Sequence, residues 1–126
     1  MKTDLESIHI DNIYQLENLD QVESLTSPIR YRMISFLTYR SKTSAQLARD
    51  LGISRPKAHY HLQVMVKLGF ARFVGEKLVN GIVEKYYVSR AHFFSFDGLN
   101  QYAVDHPEDE EFCRRFASLK NHFLIN

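Results

Sequence analysis

Apolar residues recur at helical spacing up to about residue 69, and the period then changes to that of β-strands. Thr43, with Gln46 three residues later, forms a capping-box pattern, and Gly52 can end that helix in a left-handed conformation. Four helices are therefore predicted in this part of the chain, near 20–26, from Ser27-Pro28, from Thr43 and from Ser54 to about residue 69.

Two strand candidates follow the helices, Phe70–Val74 and Ile82–Val88, and residues 75–81 connect them. Within that connection, Asn80-Gly81 is a strong signal for a tight hairpin turn. Two helices joined through Leu51–Ser54 and followed directly by a hairpin predict a winged helix-turn-helix. The expected fold class is thus mainly α with a small β-hairpin wing.

The C-terminal part is rich in aromatic residues and has a well-marked helix start, with Pro107 followed by an acidic first turn. The aromatic stripe on this helix can pack on its own domain or form a dimer interface with the phenylalanines of 93–96. We favour the dimer because large exposed aromatic side chains are costly. The predicted dimerisation residues are Phe93, Phe94, Phe112, Phe116, Leu119 and Phe123.

These patterns divide the chain into three expected parts. Residues 1–18 form an N-terminal extension, in which Ser7–Asp11 alternates like a short strand. Residues 19–92 form the winged helix-turn-helix domain, and residues 93–126 form a helical dimerisation segment. With 44% hydrophobic and 25% charged residues, the chain is typical of soluble globular proteins.

Charge is distributed unevenly along the chain, although the formal net charge is only +1. Residues 28–90 carry twelve Lys and Arg against three acids, whereas the segments before and after this block are both acidic. Such asymmetry is typical of nucleic-acid-binding proteins, and also of basic surfaces that have no ligand.

The helix that begins after Ser54 offers the side chains for reading DNA bases. In helix-turn-helix motifs, the N-terminal residues of the second helix enter the major groove. Arg and Lys can bond guanine, and Gln can bond adenine, while small hydroxyls suit phosphate oxygens. The expected base contacts are Arg55, Lys57, His59, Tyr60 and Gln63, and the expected backbone contacts are Arg40, Thr43, Ser44, Ser54 and His61.

Three segments resemble ArsR-like winged-helix repressors over about residues 19–92. Ser54–Met65 with Lys67–Ala71 looks like their recognition helix, Leu25–Leu37 like their entry helix, and Glu84–Val88 like their second wing strand. The resemblance implies a prokaryotic, dimeric, cytoplasmic transcription factor, a repressor by preference, that binds a palindromic operator in double-stranded DNA. It also implies a wing that approaches the minor groove or the backbone, through Lys77, Asn80, Gly81 and Lys85.

The chain departs from the metal-sensing members of that family in its candidate metal ligands. Their cysteine pairs lie on the helix before the recognition helix, and here that helix has no Cys. His106, Glu110 and His122 are candidates for the family's other type of metal site, but a helix-dipole role explains Glu110 and His122 better. We expect no metal and no cofactor, and we expect Cys113, the only Cys, to be a buried inert thiol.

Other functions remain open beside the DNA-binding regulator. The chain lacks a phosphate-binding Gly loop and the motifs of hydrolases and metalloproteases, so no enzyme is expected. It has neither a signal peptide pattern nor a membrane-spanning run, which together with the lone cysteine indicates the cytoplasm. The alternatives are a winged-helix protein-interaction module and the DNA-binding part of a longer regulator. The sequence does not indicate an effector ligand.

Overall fold

Helices and short strands alternate along residues 8–124, the part of the chain that the computed structural model describes. Ser7, the first residue of the strand predicted over 7–11, lies outside that part, and the observed strand is shifted to begin at Asp11. No helix within residues 8–124 is long and apolar enough to cross a membrane. The elements are β1 Asp11–Gln15, α1 Leu19–Ser24, α2 Pro28–Tyr39, α3 Ser44–Leu51, α4 Arg55–Lys67, β2 Ala71–Val79, β3 Ile82–Ser89, β4 Ala91–Ser95, α5 Asp97–Asp105 and α6 Glu110–Leu124.

Side-chain caps set the start of the central helices, as the sequence predicts. The Ser27 hydroxyl accepts a bond from the Arg30 amide at the start of α2. At α3 both bonds of the capping box are present, between Thr43 and Gln46. Gly52 ends α3 with φ +68°, a conformation that only glycine adopts without strain. These local signals confirm the predicted helix-turn-helix boundaries.

The wing is an antiparallel hairpin of β2 and β3, closed by the two-residue turn Asn80-Gly81 with φ +51° and +78°. Positive φ at both turn residues matches the twist of the strands, which is why Asn-Gly is favoured there. The first strand is longer than predicted and continues to Val79. A β-bulge between Phe73 and Gly75 absorbs one unpaired residue, so the ladder resumes beyond the predicted strand end.

A second, parallel two-stranded sheet joins the N-terminal segment to the segment that follows the wing, and the sequence did not predict it. Strand β1 pairs with β4, with Ile13 opposite Phe93 and Tyr14 opposite Phe94. The segment 93–126, predicted to be helical, therefore begins in a strand. The ring of Phe94 packs edge-on against Phe70, with ring centroids 5.1 Å apart, which ties this sheet to the central core.

One apolar core runs through all the helices of the winged helix-turn-helix and into the terminal segments. Leu37, Leu47 and Leu62 bring α2, α3 and α4 together at its centre. Leu16 from the N-terminal segment and Phe116 from α6 belong to the same buried cluster. The fold class is the predicted one, a mainly helical winged helix-turn-helix with a small hairpin.

Candidate nucleic-acid interface

The N-terminal half of α4 presents a polar face to solvent. Ala58, Leu62 and Met65 are buried, and this spacing fixes which side of the helix points inward. Arg55 and Lys57 are on the exposed side, with neither forming an ion pair among the described residues. The remaining predicted base-contact residues, His59, Tyr60 and Gln63, are also exposed.

Carboxylates are scarce near this face. Asp50 is the only acid in residues 43–67, and Lys42 Nζ pairs with its Oδ2 at 2.5 Å. Neither Arg55 nor Lys57 forms an ion pair with an acid among residues 8–124. Uncompensated Arg and Lys side chains at a helix N-terminus attract anions, because the helix dipole adds its positive end at the same place.

A side-chain amide on α1 holds the C-terminal end of α4. Gln21 is buried, and its Nε2 donates to the Leu68 carbonyl at 2.8 Å. Its Oε1 accepts from the Glu17 amide at 2.6 Å, so both polar ends of the side chain are engaged. This buried amide fixes the position of α4 relative to α1, because leaving either group unpaired would cost about 1–3 kcal/mol.

His61 joins α4 to the entry helix α2. Its Nδ1 accepts a hydrogen bond from Arg30 Nε at 3.1 Å, and Arg30 Nη1 also donates to the buried Ser24 hydroxyl at 3.3 Å. Because Nδ1 is an acceptor, the neutral ring carries its proton on Nε2, where it can donate to a phosphate. The predicted backbone role of His61 is compatible with this geometry and stays a prediction.

The neutral form of His61 links folding stability to pH. Partial burial lowers the pKa of His61 below 6.5, and the charges of Arg30 and Lys57 lower it further. As pH falls through 6.5, the unfolded chain takes up this proton before the folded chain does, so stability present at neutral pH is lost. We expect the melting temperature to fall on mild acidification, and His61→Asn to flatten that dependence between neutral and mildly acidic pH.

The matched control for this pH dependence is His59→Asn, which changes an exposed histidine two residues away and leaves the bond from Arg30 intact. Thermal melts of the three proteins across the pH series provide the comparison. If His59→Asn flattened the profile as much as His61→Asn, the Arg30–His61 contact would not be its source.

The predicted backbone contacts divide by exposure. Arg40 is exposed beyond the end of α2, and Ser44 is partly exposed in the first turn of α3. Ser54 is exposed, and its hydroxyl accepts from the Lys57 amide at 3.2 Å. Thr43 is only 4% exposed, and its hydroxyl is used in the capping box. Thr43 therefore stabilises α3, and its predicted contact with a phosphate stays a prediction.

The wing is less basic than its two predicted lysine contacts suggest. Lys77 stands opposite Glu84 and Lys85 opposite Glu76 in the strand register, so each cation faces an acid. Beyond these pairs the tip carries exposed apolar side chains that flank Asn80 and Gly81: Leu78, Val79, Ile82 and Val83. These apolar residues lie at the tip because β2 continues to Val79. The predicted first strand ended at Val74, so the sequence did not place them there.

The segment that contains α2, α3 and α4 is similar to known proteins. A protein family described as a helix-turn-helix domain matches residues 25–72, which include α2, α3, α4 and the start of the wing. The matched segment is less than half of the 126 residues of the chain. Its position coincides with the predicted recognition helix and turn, and it confirms the helix-turn-helix that underlies the predicted resemblance.

Several known proteins are similar to the chain around this helix-turn-helix domain. A probable mercury resistance operon repressor of Streptomyces lividans is 35% identical over 57 residues, which are 44% of this chain and 46% of that protein. The chain thus spans less than half the length of this curated relative. The relative's description agrees with the predicted likeness to ArsR-like repressors.

Two solved structures extend the comparison. A homodimeric winged helix-turn-helix DNA-binding domain of Mycobacterium bovis, described as a possible ArsR-family regulator, has a TM-score of 0.49 and 21% identity, covering 70% of this chain and 82% of that one. An ArsR-like transcriptional regulator from Rhodococcus has a TM-score of 0.47 and 22% identity, covering 82% and 89%.

The predicted dimerisation residues of the segment after the helix-turn-helix domain are placed differently from one another. Phe116 is 1% exposed, packed against Phe96 and Phe112 of its own chain, so it has no surface left for a partner. Phe93 is 69% exposed on β4. Phe94, Phe112, Leu119 and Phe123 are partly buried against the core of the same chain.

The candidate metal ligands do not come together within one chain. His106 stacks on Tyr102 with ring centroids 4.2 Å apart, and Glu110 opens α6. No group of three or more His, Cys, Asp or Glu side chains suited to a metal occurs among residues 8–124. Cys113, predicted to be buried, is only partly so, and its Sγ lies 3.7 Å from the His106 carbonyl oxygen.

Proposed function

We propose that this protein binds duplex DNA in a sequence-dependent manner and thereby regulates transcription. One observation carries the proposal, namely the exposed face of α4 at Arg55, Lys57, His59 and Tyr60, which has no ionic partner among the described residues. Arg and Lys can form paired hydrogen bonds to guanine in the major groove. The opposite face of α4 is buried, so the helix can present these side chains from a rigid support.

The electrostatics of the domain support the same function. The block 28–90 holds twelve Lys and Arg against three acids. Of those acids, Asp50 pairs with Lys42, and Glu76 and Glu84 stand opposite lysines in the wing. The basic side chains that remain uncompensated can therefore contact phosphates, which supply most of the salt-dependent affinity for DNA.

We further propose that the protein acts as a homodimer on a palindromic operator, as a repressor. A patch of exposed apolar side chains supports the dimer: Ile13 lies opposite Phe93 in the sheet of β1 and β4, and Tyr31 of α2 borders the same cleft as Phe93. A twofold dimer would place two copies of α4 about one helical turn of DNA apart.

The repressor assignment follows the description of the Streptomyces relative. Mercury sensing is not part of the proposal. The helix α3 has no cysteine, and Cys113 is the only cysteine in the sequence.

Selecting bound sequences from a random duplex pool with the full chain tests DNA binding and the dimer together. We expect enrichment of a palindromic sequence whose half-site centres are about 10–10.5 base pairs, or a multiple of that, apart. Enrichment of a single half-site would contradict the dimer while leaving DNA binding intact. Failure to enrich any sequence at low salt would contradict the function itself and favour a protein-interaction module.

A further inference from the structure

An open cleft of about 530 Å³ lies between β1, the C-terminal end of α4 and the base of the wing. Its apolar wall includes Val66 from α4 and Phe73 from β2, and its polar wall includes the side chains of Arg72 and Arg90. This volume falls within the range of small-molecule sites in proteins. The cleft is distinct from the exposed N-terminal face of α4, because Val66 lies at the other end of that helix.

The two arginines of this cleft lack carboxylate partners. Neither Arg72 nor Arg90 forms an ion pair among residues 8–124. Arg72 Nη2 donates to the carbonyl oxygen of His9 at 2.5 Å, which uses only one of its five N–H groups. The guanidinium of Arg90 lies 4.3 Å from the ring centroid of Tyr14, a contact that orients the group and leaves its N–H donors in the ring plane available.

The backbone of Arg90 is hydrogen-bonded to two other segments of the chain. Its amide donates to the Phe70 carbonyl at 2.8 Å, and its carbonyl accepts from the Asp11 amide at 3.2 Å. The arginine therefore sits where the wing base, the end of α4 and β1 meet. Two oriented guanidinium groups on rigid elements are suited to bind a planar anion by paired hydrogen bonds.

The charge of the cleft indicates which anion fits. The lining contains the two arginines and one acidic side chain, Asp11, whose Oδ1 lies 3.2 Å from His9 Nε2. Apart from the imidazole of His9, which lies against Asp11, the lining carries two positive charges and one negative charge. A monovalent anion neutralises this balance, whereas a phosphate monoester, with a charge of about −1.5 to −2, exceeds it.

We propose that this cleft binds a small organic carboxylate. Its carboxylate accepts hydrogen bonds from Arg72 and Arg90, and its apolar body packs against Val66 and Phe73. This inference concerns a separate site and does not rest on the proposed DNA-binding function.

Titration of the full chain with sodium benzoate, followed by ¹H–¹⁵N correlation spectra at constant ionic strength, tests the proposal. We expect saturable shifts of the amide signals of Gly69, Ala71 and Arg72, which border the cleft. Benzyl alcohol, which lacks the anion, should not produce them. Inorganic phosphate should bind more weakly than benzoate.

Arginine variants separate a built site from general attraction to a basic surface. We expect Arg90→Gln to weaken benzoate binding by about tenfold or more, since it removes charge-assisted bonds. Arg90→Lys should keep the charge but lose the paired geometry, and so weaken binding as well. The matched control is Arg32→Gln, an exposed arginine on α2, which should leave the affinity unchanged.

Several results would overturn the proposal. One is the absence of saturable shifts up to the solubility of benzoate. Others are equal losses in Arg90→Gln and Arg32→Gln, or phosphate that binds as tightly as benzoate. Signals of the core, such as that of Leu62, report in the same spectra whether each variant is folded. Cleft shifts that occur with duplex DNA but not with benzoate would assign the arginines to DNA instead.

Discussion

Phe116→Ala is expected to lower the free energy of unfolding by about 3–5 kcal/mol. The side chain is 1% exposed, and its ring meets Phe112 at a centroid distance of 5.6 Å and Phe96 at 6.1 Å. Truncation leaves a cavity between α6 and the segment that follows β4. The surrounding side chains can relax only partly to fill it. Chemical denaturation monitored by circular dichroism measures the loss.

Tyr39→Ala is the control for Phe116→Ala, because this aromatic side chain is 88% exposed and its loss should change stability by less than about 0.5 kcal/mol. The unfolding of both variants should be measured at two protein concentrations, since the stability of a dimer depends on concentration. If Phe116→Ala dissociated a dimer without destabilising the folded chain, the assignment of Phe116 to its own core would be wrong.

Replacing Arg55 or Lys57 with Ala is expected to weaken binding to a selected duplex by about 1–3 kcal/mol each, without a change in melting temperature. Both side chains are exposed, so their removal leaves no cavity. The loss should be largest for the sequence that the wild-type protein prefers, because a base contact contributes little to binding of other sequences. Fluorescence anisotropy with selected and scrambled duplexes measures it.

Arg114→Ala removes the same charge from an exposed position on α6 and provides the comparison for Arg55 and Lys57. It should alter affinity for both duplexes only slightly. Equal losses for Arg114→Ala and Arg55→Ala, or a loss that is the same on selected and scrambled DNA, would show that α4 contributes charge without reading bases.

Local chemistry explains why much of the fold could be predicted from the sequence. Ser27, the Thr43–Gln46 pair, Gly52 and Ser54 act within three residues of the backbone groups they satisfy, so their meaning survives without knowledge of the rest of the chain. Asn80-Gly81 is similar, since its turn needs only two residues with positive φ. These signals locate the helix-turn-helix, and hence the exposed face of α4.

Contacts between distant segments could not be predicted in the same way. The pairing of Asp11–Gln15 with Ala91–Ser95 joins residues about eighty positions apart, and neither strand contains a signal that names the other. The stripe at Phe112 and Phe116 likewise shows that one helix face is apolar, but not what covers it. The structure covers Phe116 with its own chain.

The site illustrates the same limit at the level of single side chains. Thr43 was expected both to cap α3 and to contact phosphate, but the sequence does not reveal that its side chain lies at a position only 4% exposed. His61 was expected to contact the DNA backbone, but its bond to Arg30 depends on how α2 crosses α4, which the sequence does not show. The arginines at the base of the wing come together with β1, whose pairing the sequence does not reveal.

The hydrogen bond from Gln21 to the C-terminal end of α4 has a consequence for redesign. Its amide holds the main-chain oxygen of Leu68, and every residue type supplies the same oxygen at that position. Exchanging the exposed side chains at 55, 57, 59, 60 and 63 should thus leave this anchor in place. The chemistry of the exposed face of α4 can be varied by substitution on a helix whose position in the domain is held from its other end.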